Sequence, residues 1–186
     1  MGPGSFPLDK RTIGCKWVYV VKMKADGFVD RLKARLVAKE YAQTYGVDCT
    51  DTFSSVTKMT FIRIIIFLAA TYCWSLYQLD VKNIFLYGDL QEEMYMEQPS
   101  GFVAQGEYGK VCKLKKSLYG LKQSPRAWFD RFSDVVIEFG IKRSSCDHTI
   151  FFKYTDSGCI LLIVYIDDIM ITGSDAQGIS SLKEFL

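Results

Sequence analysis

The stretch that decides the fold is Cys159-Ile160-Leu161-Leu162-Ile163-Val164-Tyr165-Ile166-Asp167-Asp168-Ile169-Met170-Ile171-Thr172. Its first half is a continuous run of aliphatic and β-branched residues, which is typical of a central strand buried on both faces. Two carboxylates follow, and the chain then returns at once to strand-forming residues. We therefore predict a β-hairpin with Asp167 and Asp168 at its tight turn.

The two adjacent acids allow two interpretations. Asp is an ordinary turn residue, so the pair can be an exposed turn with no further role. Like charges held near a core instead need water or a cation, and hard cations such as Mg²⁺ bind carboxylate oxygens. A third acid favours a metal site, because Ser75–Val81 alternates as a half-buried strand with Asp80 near its end. Unless Asp80 is only a strand-ending turn residue, the three acids suit two-metal phosphoryl chemistry.

Three sequence blocks resemble those of one enzyme family. Tyr165-Ile166-Asp167-Asp168 resembles the Tyr-x-Asp-Asp motif of reverse transcriptases. Residues 79–90, LDVKNIFLYGDL, resemble the first catalytic motif in the copia-type branch of long-terminal-repeat retrotransposons. Residues 117–128, SLYGLKQSPRAW, resemble the central block of that branch. The resemblance runs from about Ile13 onward with the blocks in family order, and the ordered set is far more specific than any one block.

The fold class expected from the pattern of elements is α+β, because a basic β-hairpin is followed by strands and helices with the acids on the sheet. The resemblance implies the fingers of a right-hand polymerase and a ferredoxin-like palm, truncated before the thumb. We expect residues 1–12 to form a loose N-terminal arm. Residues 13–186 would then form the reverse transcriptase domain, incomplete at its C-terminus.

The resemblance also implies roles for individual residues. Asp80, Asp167 and Asp168 are expected to be catalytic and, together with Val81, to hold two Mg²⁺ or Mn²⁺ ions. The residues expected to bind the nucleotide are Lys33, Arg35, Asn83, Ile84, Phe85, Tyr119 and Gly120. The residues expected to contact template and primer are Lys113, Lys115, Lys116, Lys122 and Tyr165.

Two positions of the first catalytic motif have specific implications. By resemblance, the Phe85 ring would lie beneath the sugar of the incoming nucleotide and exclude a ribose 2′-hydroxyl. Without the resemblance, Phe85 would be interpreted as a core aromatic. Ile84 stands where the family usually has a small residue, so its β-branched side chain is expected to narrow the nucleotide pocket.

Charge is distributed unevenly although the net charge is only +2. Between Lys10 and Lys39, nine basic residues stand against two acidic ones, a local charge of +7. After a predicted turn at Ala25-Asp26-Gly27, period-two spacing puts Arg31, Lys33 and Arg35 on one face of a strand. This pattern favours an anion-binding surface that faces the same cleft as the acids, and a solvated strand face is an equal alternative. The later lysine group has its own alternative, a charged sheet edge that prevents aggregation.

Other sequence features exclude several classes. The six cysteines are scattered and only one histidine is present, so a zinc site is not expected. No secretory signal is evident, which favours a reducing compartment, and the resemblance implies a cytoplasmic virus-like particle with access to the nucleus. Apolar runs such as Ile64–Ala70 fall far below the ~20 residues of a membrane helix, so no membrane partner is expected.

Three helices are predicted from local patterns. Thr60 is a candidate cap for a largely apolar, buried helix from Phe61 to Trp74. Ser124-Pro125 opens a second helix that runs to about Gly140, with proline in its first turn. A third begins near Gln177.

The leading functional hypothesis is an RNA-directed DNA polymerase. Its substrates would be an RNA template, a DNA primer and a deoxynucleoside triphosphate, and its partners the missing thumb and ribonuclease H portions of a Pol polyprotein. One alternative is a catalytically incompetent truncated remnant that binds nucleic acid or self-associates. Another is a different palm-type nucleotidyl transferase such as a cyclase, against which the basic hairpin and the 117–128 block argue.

Overall fold

The chain is divided into two compact units. The computed structural model describes residues 12–39, 41, 43, 57–103, 110–165 and 168–186. The first unit combines Met1–Phe53 with Phe85–Trp128, and the second combines Ser54–Ile84 with Phe129–Leu186. The predicted N-terminal arm lies outside the described residues except for Thr12, which already pairs with Tyr95 in a strand.

The described residues form three helices and ten strands. The helices are α1 (Met59–Thr71), α2 (Ser124–Glu138) and α3 (Ala176–Phe185). The strands are β1 (Thr12–Ile13), β2 (Cys15–Met23), β3 (Val29–Ala38), β4 (Tyr77–Asp80), β5 (Tyr95–Glu97), β6 (Val111–Lys113), β7 (Lys142–Arg143), β8 (Ile150–Thr155), β9 (Gly158–Tyr165) and β10 (Asp168–Gly173). A 3₁₀ helix, Ile84–Tyr87, follows β4. This mixed content agrees with the predicted α+β class, and none of the described helices is long and apolar enough to span a membrane.

The second unit is built on an antiparallel sheet of five strands in the order β4-β10-β9-β8-β7. Its central strand β9 is buried, as predicted, because helices pack on both faces of the sheet. On one face Ile163 packs with Ile65 of α1. On the other face Phe151 of β8 meets Phe132 of α2, with 6.0 Å between the ring centroids. The apolar run that opened the sequence analysis therefore forms the middle of this core.

The hairpin of β9 and β10 corrects one detail of the sequence prediction. Asp168 pairs with Tyr165 and is the first residue of β10, so it is not a turn residue. Asp167, the other acid that we predicted there, lies outside the described residues.

In the first unit, the predicted basic hairpin is confirmed. Strands β2 and β3 pair antiparallel, with Lys33 opposite Val20 and Arg35 opposite Val18. Gly27 has a φ of 85°, which is the left-handed conformation that this turn requires. Lys33 and Arg35 share a face of the hairpin because they are two positions apart on one strand. The same unit contains a three-stranded sheet in the order β1-β5-β6.

The first helix departs from its predicted cap. Its N-cap is Lys58, whose backbone is extended and whose side chain makes no capping hydrogen bond. Thr60 lies inside the first turn, so the prediction that it caps the helix is wrong. The helix starts earlier because Met59 already has helical geometry.

Burial of α1 is also one-sided. Ile62, Ile65 and Ala69 are buried, whereas Ile64 is 46% exposed and Phe67 is 67% exposed. The prediction of a buried helix therefore holds for one side of α1 only. Spacings of three and four residues place the buried set on one side of the helix, and only that side meets the sheet.

The third helix begins as predicted and has a strong cap. The Asp175 carboxylate accepts hydrogen bonds from the Gly178 amide at 2.8 Å and from the Thr155 hydroxyl at 2.7 Å. These bonds favour the ionised form and hold the pKa of Asp175 below its usual value, the backbone amide contributing most. The cap therefore ties the start of α3 to β8.

Candidate active site

Two of the three predicted catalytic acids face each other across one strand pair. Asp80 is the last residue of β4, and Asp168 is the first residue of β10. The two are direct partners in the antiparallel register of these strands. Directly opposed residues point to the same face, with Cβ atoms about 4.5–5.5 Å apart. The fold thus brings together two acids that lie far apart in the sequence.

The predicted metal set also contains Asp167 and Val81. Asp167 lies outside the described residues. Val81 directly follows β4 and is partly buried. Within the described parts of the chain, no group of three His, Cys, Asp or Glu side chains could hold a metal ion. The described carboxylates of the predicted metal set are therefore Asp80 and Asp168.

The electrostatics of this pair suit a cation. Like charges directly opposite on neighbouring strands are destabilising, and Asp80 is exposed while Asp168 is partly exposed. Carboxylate oxygens are the ligands that Mg²⁺ and Mn²⁺ prefer. The donor set therefore fits a divalent cation, whose charge would remove the repulsion between the two side chains.

A neighbouring side chain that the sequence analysis did not single out also contacts the pair. The Gln78 side-chain amide donates a hydrogen bond to Asp168 Oδ1 at 2.9 Å. Gln78 lies two residues before Asp80 on β4, so both project from the same face. The only sequence signal for Gln78 was this spacing within an alternating strand.

In the first unit, the side chains of three predicted nucleotide-binding residues contact one another. The guanidinium carbon of Arg35 lies 5.6 Å from the centroid of the Tyr119 ring, within the range of a cation–π interaction. Tyr119 also contacts Phe85 edge to face, with centroids 5.1 Å apart. All three side chains are partly exposed. Lys33, on the same face as Arg35, is partly exposed as well.

Gly120 fixes the position of Tyr119 against β3. Its φ is 83°, and an added Cβ would lie 2.3 Å from the carbonyl oxygen of Ala38. The Ala38 amide donates to the Tyr119 carbonyl at 2.8 Å. A side chain at position 120 would therefore push the Tyr119 backbone away from the strand that carries Arg35.

Ser117 is a second residue that sequence reasoning missed. It is 1% exposed, and its hydroxyl donates to the Phe85 carbonyl. Its amide donates to the Gly88 carbonyl at 2.9 Å. Ser117 therefore anchors the segment that carries Phe85, and no local pattern in the sequence indicated this long-range contact.

The segment between Asp80 and Phe85 turns sharply. Asn83 is exposed and has a φ of 57°, a left-handed conformation that Asn adopts more readily than most residues. Ile84, the next residue, is 2% exposed at the start of the 3₁₀ helix. Its side chain therefore packs away from solvent. Asn83 thus changes the direction of the chain immediately after β4.

The predicted template and primer residues are mostly engaged in local contacts. Lys113 forms an ion pair with Glu93, and Lys116 forms one with Asp89. The hydrogen bond that Lys113 donates to Glu93 raises the pKa of Lys113 above its usual value. Exposed ion pairs contribute little to stability, so both lysines can exchange these partners for phosphate at small cost.

The remaining members of that set differ in environment. Lys115 is exposed. Lys122 Nζ donates to the Gln43 carbonyl at 3.1 Å. Tyr165 is partly buried and packs with the cluster formed by α1 and Ile163. Lys115 is thus exposed to solvent, whereas Tyr165 contributes to the packing of the core.

A family model described as reverse transcriptase (RNA-dependent DNA polymerase) matches residues 4–186. The chain belongs to the reverse transcriptase family. It is 46% identical over 178 residues to the retrovirus-related Pol polyprotein from transposon TNT 1-94 of Nicotiana tabacum, a match that covers 95% of this chain and 13% of that protein. It is 44% identical over 169 residues to the corresponding polyprotein from transposon RE1 of Arabidopsis thaliana, covering 91% of this chain and 12% of the relative.

These matches confirm the resemblance to copia-type reverse transcriptases. This reverse transcriptase chain spans only 12–13% of the length of the two relatives. Enzymes of the family generally use divalent metal ions, which agrees with the carboxylate pair on β4 and β10.

Proposed function

We propose that this chain carries the polymerase centre of a copia-type Pol polyprotein and catalyses RNA-directed DNA synthesis. A deoxynucleotide would be transferred from its triphosphate to the 3′-hydroxyl of a DNA primer on an RNA template, with release of pyrophosphate. The observation that carries the proposal is the direct pairing of Asp80 with Asp168 in a chain of the reverse transcriptase family.

In this proposal the second unit is the palm and supplies the metal ligands. Asp80, Asp167, Asp168 and the Val81 carbonyl would hold two Mg²⁺ or Mn²⁺ ions. When bound, such ions lower the pKa of the attacking hydroxyl and stabilise the charge on the leaving oxygens. The protein's own contribution is placement, because two hydrogen-bonded strands hold Asp80 and Asp168 on one face of a well-packed sheet.

The first unit, in the same proposal, is the fingers and binds the nucleotide. Arg35 and Lys33 would neutralise the triphosphate, and arginine can do so through two parallel hydrogen bonds. Phe85 would contact the sugar and exclude a 2′-hydroxyl. Tyr119 supports this role, because it contacts both Phe85 and Arg35.

Smaller roles are assigned to the flanking residues. Asn83 and Gly120 would shape the nucleotide pocket through their left-handed backbones, and Ile84 would narrow it. Template and primer phosphates would compete with Glu93 and Asp89 for Lys113 and Lys116. The same set of phosphate and primer contacts would include Lys115, Lys122 and Tyr165.

The expected cellular setting is supported by cysteine chemistry alone. The five cysteines in the described residues are free thiols, which suits a reducing compartment such as the cytoplasm. Assembly in a virus-like particle, and cooperation with thumb and ribonuclease H portions of a longer polyprotein, stay predictions.

A primer-extension assay tests the proposed function. The chain would be joined to the region that follows the matching segment in the TNT 1-94 polyprotein. The matching TNT 1-94 segment, joined to the same region, would serve as positive control. We expect the chimaera to extend a DNA primer on an RNA template with deoxynucleotides and Mg²⁺, and to stop when chelator is added. Extension by the control but not by a folded chimaera would contradict the proposal and favour the incompetent remnant.

Arg35→Gln is expected to raise the nucleotide concentration needed for half-maximal extension by about 10–100-fold. Hydrogen bonds to charged groups are worth about 1.5–3 kcal/mol, and each 1.4 kcal/mol is a tenfold change. Arg31→Gln is the matched control, because Arg31 lies on the same strand and face and is paired with Asp30. Equal effects of the two substitutions on extension kinetics would show that the hairpin acts only as a general basic surface.

A further inference from the structure

The hydrogen bond between Gln78 and Asp168 follows from the register of β4 and β10. Gln78 and Asp80 are alternate residues of β4, and Asp168 is the direct partner of Asp80 on β10. Gln78 itself is opposite Met170, so its amide reaches diagonally along the strand pair to Asp168 Oδ1 at 2.9 Å. Diagonal neighbours lie about 7–8 Å apart at their Cα atoms, a distance that a long side chain can span.

The chemistry of this contact suits a metal ligand. An amide N–H is a neutral donor, so it fixes one oxygen of the carboxylate without cancelling the negative charge that attracts a cation. A lysine in the same place would form an ion pair and compete with the metal. The second carboxylate oxygen, Oδ2, is not occupied by this bond, and an oxygen that accepts one hydrogen bond retains a further lone pair.

We propose that Gln78 is a positioning residue that orients the Asp168 carboxylate for divalent-cation binding. The inference rests on the proposed polymerase function and deepens it, because it names a residue outside the predicted metal set. Hydrogen-bond partners that orient metal ligands typically contribute about 10–100-fold to metal affinity. Gln78 is exposed, so its replacement removes the hydrogen bond without creating a cavity in the core.

Direct Mn²⁺ binding to the full chain tests this inference without any measurement of activity. Electron paramagnetic resonance follows the signal of the unbound ion as Mn²⁺ is added to wild-type protein, Gln78→Met, Gln177→Met and Asp168→Asn. Methionine matches the length of glutamine and has no amide. Gln177 is an exposed glutamine of α3 in the same unit, so Gln177→Met is the matched control.

We expect Gln78→Met to weaken Mn²⁺ binding by about tenfold and Gln177→Met to leave it unchanged. The melting temperature of metal-free Gln78→Met should equal that of the wild type, which separates orientation from folding. If Gln78→Met lowers that temperature, Gln78→Asn decides by the same criterion, because its amide is one methylene too short to reach Asp168.

Two results would overturn the inference, and they differ in what they imply. Wild-type affinity in a folded Gln78 variant would remove the positioning role while leaving the proposed polymerase function intact. Mn²⁺ binding by the wild type that is no tighter than binding by Asp168→Asn would overturn the metal site itself, and the proposed function with it.

Discussion

Asp168→Asn is expected to abolish RNA-directed DNA synthesis without damaging the fold. The substitution removes one negative charge and keeps the shape of the side chain, and its carbonyl oxygen can still accept the Gln78 hydrogen bond. Metal ions supply several kcal/mol of charge stabilisation in such reactions, which corresponds to a loss of about 10³-fold in rate. Steady-state primer extension by the chimaera with the TNT 1-94 region measures this loss.

The stability of the same variant provides a second, independent measurement. Asp80 and Asp168 repel each other when no cation is bound, because they are direct cross-strand partners. We therefore expect metal-free Asp168→Asn to melt at the same or a slightly higher temperature, a gain of at most about 1 kcal/mol. Mg²⁺ should raise the melting temperature of the wild type and leave that of the variant unchanged.

Asp134→Asn is the matched control for this prediction. Asp134 is an exposed residue of α2 in the same unit, so its substitution changes the net charge equally. It should leave both extension and the Mg²⁺-dependent shift unaltered. Activity within tenfold of wild type in Asp168→Asn would contradict the assignment of Asp168 as a metal ligand.

Gly120→Ala is expected to lower the stability of the first unit strongly. Alanine at a φ of 83° is strained by about 1–3 kcal/mol. Its Cβ would also lie 2.3 Å from the Ala38 carbonyl oxygen, and forcing such a contact apart costs a further ~1–3 kcal/mol. Thermal unfolding should therefore reveal a loss of about 2–6 kcal/mol, the sum of these two ranges.

The functional consequence of Gly120→Ala follows from the residues that it displaces. The Tyr119 carbonyl would move from the Ala38 amide, and the Tyr119 ring would move relative to Arg35. A displacement of about 1 Å at a binding group can cost ~10²-fold in rate, so extension should fall even below the melting transition.

Gly101→Ala separates strain from steric clash. Gly101 has a nearly identical φ of 87°, and nothing lies within 4 Å of an added Cβ. Its substitution should cost only the backbone strain and leave nucleotide affinity unchanged. If both glycine variants lose stability equally, the close approach of Gly120 to β3 is not what requires glycine there.

The sequence determined the local elements that surround the site. Alternation and β-branched runs predicted β4, β9 and β10, and the hairpin of β2 and β3 was confirmed together with its basic face. These signals are local because strand periodicity and turn chemistry depend on residues within one or two positions. The position of Asp80 at the end of an apolar strand, and the family itself, could therefore be predicted from the sequence.

Local patterns failed where a neighbour distant in sequence decided the outcome. Thr60 was predicted to cap α1 and does not. The helix was predicted to be buried, yet the sheet covers only the side that carries Ile62 and Ile65. Lys113 and Lys116 looked like a basic surface, but each has an acidic partner more than a dozen residues away. Composition gives the charge of a segment and not which opposite charges fold against it.

By itself, the sequence determined that strands with acids at their ends are present and which family the chain belongs to. The tertiary structure alone decided that Asp80 is the direct partner of Asp168 and that Gln78, 90 residues before Asp168, donates to its carboxylate. The physical reason is strand register, because a shift of one residue would turn Asp168 to the opposite face from Asp80. That register is fixed by packing of the apolar residues of β9 and β10 against their covering helices, a property of the whole core that no single segment encodes.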